Sequence, residues 1–181
     1  MRIIKLFISS LLIFGILLFL ISLLFPSTAS SERSGSINAP MNVVMEQVSD
    51  LKNWHNWNPW SPGFDEKSGL ELISMSAPSK GVGAHFEYKN PANGEMGKVT
   101  ITKSTATELE YGVTFEGRKP MKGIIQIKPT VDQKGTAIRW VLEMHVGLLP
   151  WWKIRGFVMD RLYGPYIERG LNHLDKVCSG Q

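Results

Sequence analysis

The sequence predicts an α+β domain, in which a curved antiparallel sheet of about seven strands wraps around a long kinked C-terminal helix, preceded by an N-terminal transmembrane helix. Three observations support this prediction. An uncharged apolar segment opens the chain, runs of alternating apolar and polar residues fill its middle, and a helical stripe of apolar residues closes it. At 181 residues, the chain is long enough for one domain with its own core.

The apolar segment, residues 6–25, reads LFISSLLIFGILLFLISLLF and contains no charge. A helix of this length spans the roughly 30 Å hydrocarbon core of a bilayer. Because Arg2 and Lys5 precede the segment, the positive-inside rule predicts a cytoplasmic N-terminus, a single span in the inner or plasma membrane, and a C-terminal domain on the outer, periplasmic or extracytoplasmic side. A cleaved signal peptide is the alternative, since small residues follow at 27–29, but its apolar region is usually shorter.

These boundaries divide the chain into a cytoplasmic stub (1–5), a transmembrane anchor (6–25), a linker (26–35) and a folded domain (36–178). The linker prediction rests on STASSERSGS, residues 27–36, which is short, polar and contains glycine and serine. Such a composition is typical of a flexible tether.

The folded domain is predicted to begin with a very short strand and two short helices. Pro40 stands near the first position of the first helix, and Val44, Val48 and Leu51 return on one helical face. The helical region ends at NWHNWNPW, residues 53–60, because a regular helix cannot continue through its proline.

The middle of the domain shows the period-two alternation of an antiparallel sheet with one solvent-exposed face. The positions that we expect to face inward are Phe86, Tyr88, Val99, Ile101, Leu109, Tyr111, Phe115, Met121, Ile125, Ile138, Trp140 and Met144. Further runs at residues 70–75 and 99–103 bring the sheet to about seven strands. Turn-forming residues separate the runs.

Residues 151–178 return to helical spacing. The predicted apolar stripe consists of Ile154, Val158, Leu162, Ile167, Leu171, Leu174 and Cys178. Gly164 and Pro165 interrupt it, so we expect a kink near residues 163–164. A helix of this length can cross the whole sheet and cover its apolar face.

Charge and motifs argue against several classes of function. The formal net charge of +4 falls to +2 without the two charges of Arg2 and Lys5, and no basic run alternates with aromatic residues, so nucleic acid is not a predicted partner. Cys178 is the only cysteine, which excludes an intramolecular disulfide and a thiolate metal cluster. The four histidines are dispersed, and zincin, P-loop and nucleophile-elbow motifs are missing. We therefore predict no catalytic residue, metal or cofactor.

The arrangement of these segments resembles the START-related SRPBCC superfamily, and more closely its polyketide cyclase/dehydrase and lipid-transport branch. The matching stretches are INAP at 37–40, WHNWNPWSP at 54–62, GTAIRW at 135–140, GP at 164–165 and GLNHL at 170–174. The resemblance covers residues 37–177 and implies a helix-grip fold, with a deep hydrophobic cavity between the sheet and the C-terminal helix.

Such a cavity would bind a small hydrophobic ligand by burial, with few polar contacts for orientation. The predicted ligand-binding residues are Trp57, Trp60, Phe86, Tyr88, Tyr111, Phe115, Met121, Trp140, Met144, Val158 and Leu162. The three tryptophans of residues 53–60 allow two interpretations. They close the open end of the cupped sheet as core residues, or at least one forms the cavity rim and offers its indole N–H to a polar head group.

A second candidate surface is LLPWWKIR, residues 148–155. We expect Trp151, Trp152, Lys153 and Arg155 to contact the membrane, because tryptophan lies at head-group depth and basic residues meet lipid phosphates. The alternative is a connection between sheet and helix whose tryptophans pack against the core.

Three functions remain open. The first is a membrane-anchored module that holds a small hydrophobic, lipid-like molecule. The second is a non-enzymatic protein-interaction module whose cavity is filled by its own side chains. The third, suggested by the family resemblance, is a cyclase/dehydratase-type enzyme in which Tyr88 or Tyr111 donates a proton. The sequence identifies neither the ligand nor a protein partner.

Overall fold

The computed structural model describes residues 2–24, 26–65, 69–131, 134–147 and 150–180, with the side chains of these residues except 150–157. The helices are α1 (Arg2–Leu23), α2 (Met41–Ser49), a 3-10 helix (Leu51–Asn56) and α3 (Pro150–Ser179). The strands are β1 (Thr28–Ile37), β2 (Glu71–Met75), β3 (His85–Lys89), β4 (Met96–Ser104), β5 (Glu108–Phe115), β6 (Met121–Pro129) and β7 (Thr136–His145). The predicted α+β fold class is confirmed in its seven-stranded antiparallel sheet, its long C-terminal helix, its apolar N-terminal helix and the two short helices after the first strand.

The strands form one antiparallel sheet in the order β1-β7-β6-β5-β4-β3-β2. Strands β2 to β7 follow one another in chain order, and β1 pairs with β7 so that Thr28 lies opposite His145. We call the end of the sheet at which Thr28 and His145 lie, viewed along the strands, the Thr28 end. Because neighbouring strands are antiparallel, the turns 90–95 and 116–120 lie at the Thr28 end, whereas the turn 105–107 lies at the opposite end.

Residues 28–35 form most of β1, which corrects the linker predicted over residues 26–35. Their side chains bind other elements: Glu32 accepts two hydrogen bonds of 2.6 Å from Arg139 on β7. The sequence pattern did not indicate this part of the strand, because its inward positions before Ile37 contain no large apolar residue. They are Ala29, Ser31, Arg33 and Gly35. The folded domain therefore begins at least eight residues before the predicted boundary at residue 36.

α3 packs along β1 and buries a face that includes Met159, Ile167, Leu171 and Leu174. The predicted stripe is wrong at Val158 and Leu162, which are 43% and 58% exposed. The side chain of Ile154, the first residue of that stripe, lies outside the described residues. A step of five residues, from Leu162 to Ile167, turns about 140° around a helix at roughly 100° per residue. Met159 and Tyr163 instead reach Ile167 by four-residue steps. The helix assignment is continuous through Pro165, and the predicted kink stays a prediction.

α1 is exposed along its length except at Ser22. It is long and apolar enough to cross a membrane, and an N-terminal signal sequence has the same character. Four residues, 24–27, separate its end from the first residue of β1.

Candidate ligand-binding site

Trp54 and Trp57 attach the 3-10 helix to the end of α2. The Nε1–H of Trp54 donates to the carbonyl oxygen of Val48 at 2.8 Å, and that of Trp57 donates to the carbonyl oxygen of Gln47 at 3.1 Å. Both carbonyls lie in the last turn of α2, where helix geometry provides no internal partner. Both indoles are buried, with at most 1% exposure, so these two tryptophans are core residues whose N–H groups are already used.

The same indoles connect the helical segment to the sheet. The rings of Trp54 and Tyr111 meet edge to face with centroids 4.9 Å apart, and those of Trp57 and Trp140 do so at 5.2 Å. The Nε1–H of Trp140 donates to the Tyr111 hydroxyl at 2.9 Å. Edge-to-face geometry is favourable for aromatic rings, so the cluster forms a fixed wall on the inner face of the sheet.

Two glycines provide the space that two tyrosine rings occupy. Gly97 lies opposite Tyr88 across β3 and β4, and Gly123 lies opposite Tyr111 across β5 and β6. A Cβ atom at either glycine would collide with the facing tyrosine ring. Each ring therefore lies across the backbone of the neighbouring strand.

A cavity of about 230 Å³, the inner cavity, lies between this aromatic wall, the rest of the sheet and α3. Its apolar lining consists of Trp54, Trp60, Leu70, Phe86, Val99, Val113, Phe115, Met121 and Leu142. Its other lining residues are Asn58, Tyr88, Asn90, Glu95, Tyr111, Arg118 and Tyr163. An apolar cavity of about 150 Å³ accepts benzene, so the inner cavity has room for a hydrophobic group of at least that size.

A second pocket of about 690 Å³, the outer pocket, adjoins the inner cavity. It lies between the turn 116–120, the end of β7 and α3. The two spaces share Phe115, Arg118, Met121 and Tyr163 as lining residues. Pockets for drug-sized ligands measure about 300–1,000 Å³. A ligand of that size would fill the inner cavity and extend into the outer pocket.

The structure brings most of the predicted ligand-binding residues together. Trp60, Phe86, Tyr88, Tyr111, Phe115 and Met121 line the inner cavity. Met144, Val158 and Leu162 line the outer pocket. Trp57 and Trp140 line neither space, in contrast to the prediction, because their rings pack against each other within the core. Trp151, Trp152, Lys153 and Arg155 belong to α3, but their side chains lie outside the described residues.

Sequence reasoning predicted Tyr88 and Tyr111 but missed the other polar residues of the inner cavity. Asn90, Glu95 and Arg118 come from the turns that follow β3 and β5, and Tyr163 comes from α3. The turns themselves were predicted, but turn residues have no periodicity that assigns them to a face. Helical spacing could have identified Tyr163, because Tyr163 lies four residues before Ile167 and therefore on the same face of α3.

The polar groups of the cavity include an ion pair and two buried phenols. Nε of Arg118 lies 2.6 Å from Oε1 of Glu95, which is buried without an aligned hydrogen bond. Burial, and after it the Glu95 carboxylate, raises the pKa of Tyr88 to about 12. Burial also raises the pKa of Tyr111 above its ordinary value. Both phenols are therefore protonated at neutral pH and suited to hydrogen bonding with a ligand.

Metal ligands are not clustered in the part of the chain that the structure describes. No group of three or more histidine, cysteine, aspartate or glutamate residues there is placed to hold a metal ion. Cys178 is half-buried near the end of α3, and burial raises the pKa of its thiol to about 11.

Comparisons with solved structures find the same fold in several bacteria. A START superfamily protein from Mycobacterium smegmatis has a TM-score of 0.59 at 12% identity, covering 84% of this chain and 98% of that one. A Rhodobacter sphaeroides protein has a TM-score of 0.59 at 12% identity, covering 84% and 93%. A Chromobacterium violaceum protein has a TM-score of 0.57 at 15% identity, covering 83% and 97%. At these identities the similarity shows the fold alone.

Among curated proteins, none matches this sequence. A family model described as polyketide cyclase / dehydrase and lipid transport matches residues 28–179. That match begins with the first residue of β1 and ends with the last residue of α3. Because it spans the whole sheet and the helix that covers it, the chain belongs to the polyketide cyclase/dehydrase and lipid transport family of the START-like SRPBCC superfamily.

Proposed function

We propose that the protein is a membrane-anchored module that holds a small hydrophobic, lipid-like molecule in the inner cavity. The observation that supports this proposal is the cavity itself, about 230 Å³ of space that reaches the buried face of the sheet. Phe86, Val99 and Tyr111, which line it, are each at most 4% exposed. The space therefore belongs to the interior, where binding an apolar group gains dispersion contacts that the empty cavity lacks.

The lining indicates the chemistry of the ligand. Most of the wall is aromatic or aliphatic, and the charged residues, Glu95 and Arg118, stand together at the Thr28 end. A ligand with an apolar body and one polar end would match this distribution, because its polar end would meet the ion pair while its body excludes water.

α1 supplies the membrane anchor in this proposal. Its length and composition suit a single span, and Arg2 and Lys5 at its start favour a cytoplasmic N-terminus. The binding domain would then lie on the outer side of the membrane, close to a supply of lipid-like molecules.

Native mass spectrometry of the full chain, extracted in a mild detergent, tests the proposal. We expect a species heavier than the polypeptide, whose extra mass is released by organic solvent and identified in the extract. A clean polypeptide mass, together with no uptake of a fluorescent fatty-acid probe, would contradict the proposal. A mass without residues 1–25 would show cleavage and remove the anchor while leaving the binding function intact.

A matched pair of variants on β5 tests the location of the ligand. Val113 lines the inner cavity, whereas the next residue, Thr114, is exposed on the other face of the sheet. We expect Val113→Phe to fill the cavity and abolish uptake of the fatty-acid probe, and Thr114→Phe to leave uptake unchanged. Equal uptake by folded forms of both variants would place the ligand elsewhere.

The same measurements distinguish the binding module from the two alternative functions, an interaction module and an enzyme. An interaction module predicts a clean polypeptide mass and no probe uptake. A cyclase- or dehydratase-type enzyme predicts that a bound molecule is chemically altered, with loss of turnover in Tyr88→Phe or Tyr111→Phe and retention of binding. The raised pKa values of both phenols disfavour their release of a proton at neutral pH.

A further inference from the structure

We infer that the outer pocket faces the bilayer that carries α1, so that the ligand passes between this bilayer and the inner cavity through the Thr28 end of the sheet. The inference rests on the proposed membrane anchor and cavity function, and adds the route of the ligand and the orientation of the domain.

The first support is the short connection between α1 and the sheet. α1 ends at Leu23, and the carbonyl oxygen of Ser27 already accepts a hydrogen bond of 2.8 Å from the backbone N–H of Val146. Four residue steps join Leu23 to Ser27, and an extended chain covers at most about 14 Å in that distance. A linker over residues 26–35 would have added about 35 Å of reach. Without it, the Thr28 end is held close to the membrane surface.

The second support is the position of the outer pocket. His145 and Val146, which line it, lie beside Thr28 and Ser27 at the start of β1. The turn 116–120, on its other side, leads into β6, the second strand from β1. Strands are about 4.8 Å apart, so this turn lies roughly 10 Å from the point where the anchor enters the sheet.

The third support is the polarity of the combined space. The charged residues Glu95, Arg118 and Lys119 come from turns at the Thr28 end, whereas the buried Phe86 and Tyr111 lie further along the strands. An amphiphile that enters from the bilayer would place its apolar body in the inner cavity and keep its polar end at these turns. The ligand class that fits is therefore a membrane amphiphile with a compact polar group.

Charge in the two turns does not account for this orientation. Glu95 and Glu116 offset Arg118 and Lys119 there, so these turns have no strong attraction for anionic lipids. The connection from α1 therefore holds the outer pocket at the membrane without help from these turns. Any dependence of ligand transfer on anionic lipid should come from the predicted membrane contacts of Lys153 and Arg155.

Fluorescence quenching of the full chain in lipid vesicles tests the orientation. In a Cys178→Ser background, a fluorophore is placed at Glu116→Cys in the turn 116–120 or, as a matched control, at Ala106→Cys in the turn 105–107. The two turns are the opposite ends of the eight-residue β5, about 26 Å apart. With nitroxide-labelled lipids we expect several-fold stronger quenching at position 116. Equal quenching, or stronger quenching at position 106, would overturn the inference.

Lengthening the connection tests the route. Insertion of about 12 glycine and serine residues between Pro26 and Ser27 adds roughly 20 Å of flexible reach. For a fluorescent fatty acid supplied in vesicles, we expect slower transfer into the variant but unchanged uptake at equilibrium. An unchanged transfer rate would overturn the proposed route. Loss of uptake by both proteins at equilibrium would instead overturn the binding function, while the quenching result would still decide the orientation.

Discussion

At the scale of single residues, the inner face of the sheet depends on pairs of one large and one small side chain. Tyr111 lies across Gly123, and Tyr88 lies across Gly97, so each glycine is required by its neighbour on the adjacent strand. Alternation in the sequence places a glycine on the inner face but does not show that a ring occupies the space above it.

We predict that Gly123→Ala destabilises the protein by about 1–3 kcal/mol, because the new methyl group displaces the hydrogen-bonded Tyr111 ring. The matched control is Gly112→Ala on β5, where a Cβ atom meets only Thr102 Cγ2 at an ordinary 4.0 Å. Urea unfolding of both variants measures the difference. Similar stabilities for the two variants would contradict the account of the Tyr111 ring.

The tryptophans of residues 53–60 have separable roles. Trp57 is fully buried outside the cavity, so Trp57→Ala should cost about 3–5 kcal/mol of stability. Trp60 is partly exposed and lines the inner cavity, so Trp60→Ala should cost less stability and reduce uptake of a fatty-acid probe. Unfolding and uptake measured on the same samples check both expectations; a larger stability loss at Trp60 would reverse the assignment.

His173 gives the protein a weak dependence on mild acid. Burial, and after it the charges of Arg169 and Lys176, lowers the pKa of His173 below its ordinary 6.5. The unfolded chain therefore binds this proton first, and stability should fall as the pH drops below about 6.5. We expect His173→Gln to flatten the unfolding free energy between about pH 7 and pH 5. An unchanged slope in the variant would exclude this residue as the source.

Acidic side chains act in a separate pH range. The hydrogen bond from Arg33 lowers the pKa of Asp160 below its ordinary 3.8, and the one from Arg139 lowers the pKa of Glu32 below 4.5. Their stabilising effect is present above these ordinary values and is lost only as the pH falls through the lowered ones. The contribution of His173 can therefore be measured between about pH 7 and pH 5 without interference from Asp160 and Glu32.

At the scale of elements, α3 contains two glycines that lie close to other parts of the molecule, and their surroundings differ. A Cβ atom at Gly170 would lie 2.7 Å from Cζ3 of Trp140 and 3.0 Å from Cδ of Pro59, both of which are held in the core. At Gly164 it would meet the guanidinium end of Arg33, which can move away. Close packing of α3 on the sheet therefore depends on Gly170.

We predict that Gly170→Ala destabilises the protein by about 1–3 kcal/mol, even though alanine favours a helix by about 1 kcal/mol. Gly164→Ala should stay within about 1 kcal/mol of the original protein, since the helical gain offsets the loss of an exposed ion pair between Arg33 and Asp160. Thermal unfolding of the two variants checks which of them loses more stability. A larger loss for Gly164→Ala would show that Arg33 is the tighter constraint.

At the scale of the whole molecule, the N-terminal boundary of the domain decides whether it folds without α1. Removal of residues 1–25 keeps β1, so we expect a soluble chain with one cooperative unfolding transition. Removal of residues 1–35 deletes most of β1 and exposes the edge of β7, so this chain should aggregate or remain unfolded. Circular dichroism and size-exclusion chromatography distinguish the two, and a folded chain after the longer deletion would contradict the structural role of β1.

Several features of the fold could be predicted from local patterns in the sequence. Period-two alternation assigned the inward positions of the strands, and these residues are buried or partly buried in the structure. The length and apolar character of residues 6–25 predicted α1. Each of these signals lies within a short stretch of chain, where backbone geometry alone relates sequence spacing to direction.

The remaining features depend on contacts between distant parts of the chain. Residues 28–35 of β1 escaped prediction because they contain no large apolar side chain and form a strand through pairing with β7. The phase of α3 before Pro165 follows from packing on the sheet, which selects Met159 and Tyr163 over Val158 and Leu162.

The sequence by itself thus determined the order of the elements, the faces of the strands and the apolar N-terminal helix, because each follows from the period of a local pattern. Only the tertiary structure decided that space remains inside the core, that Glu95 and Arg118 border it, and that it adjoins the end of the sheet where α1 is attached. Volume and position of a cavity are what is left after all side chains have packed, and no local pattern in the chain contains that information.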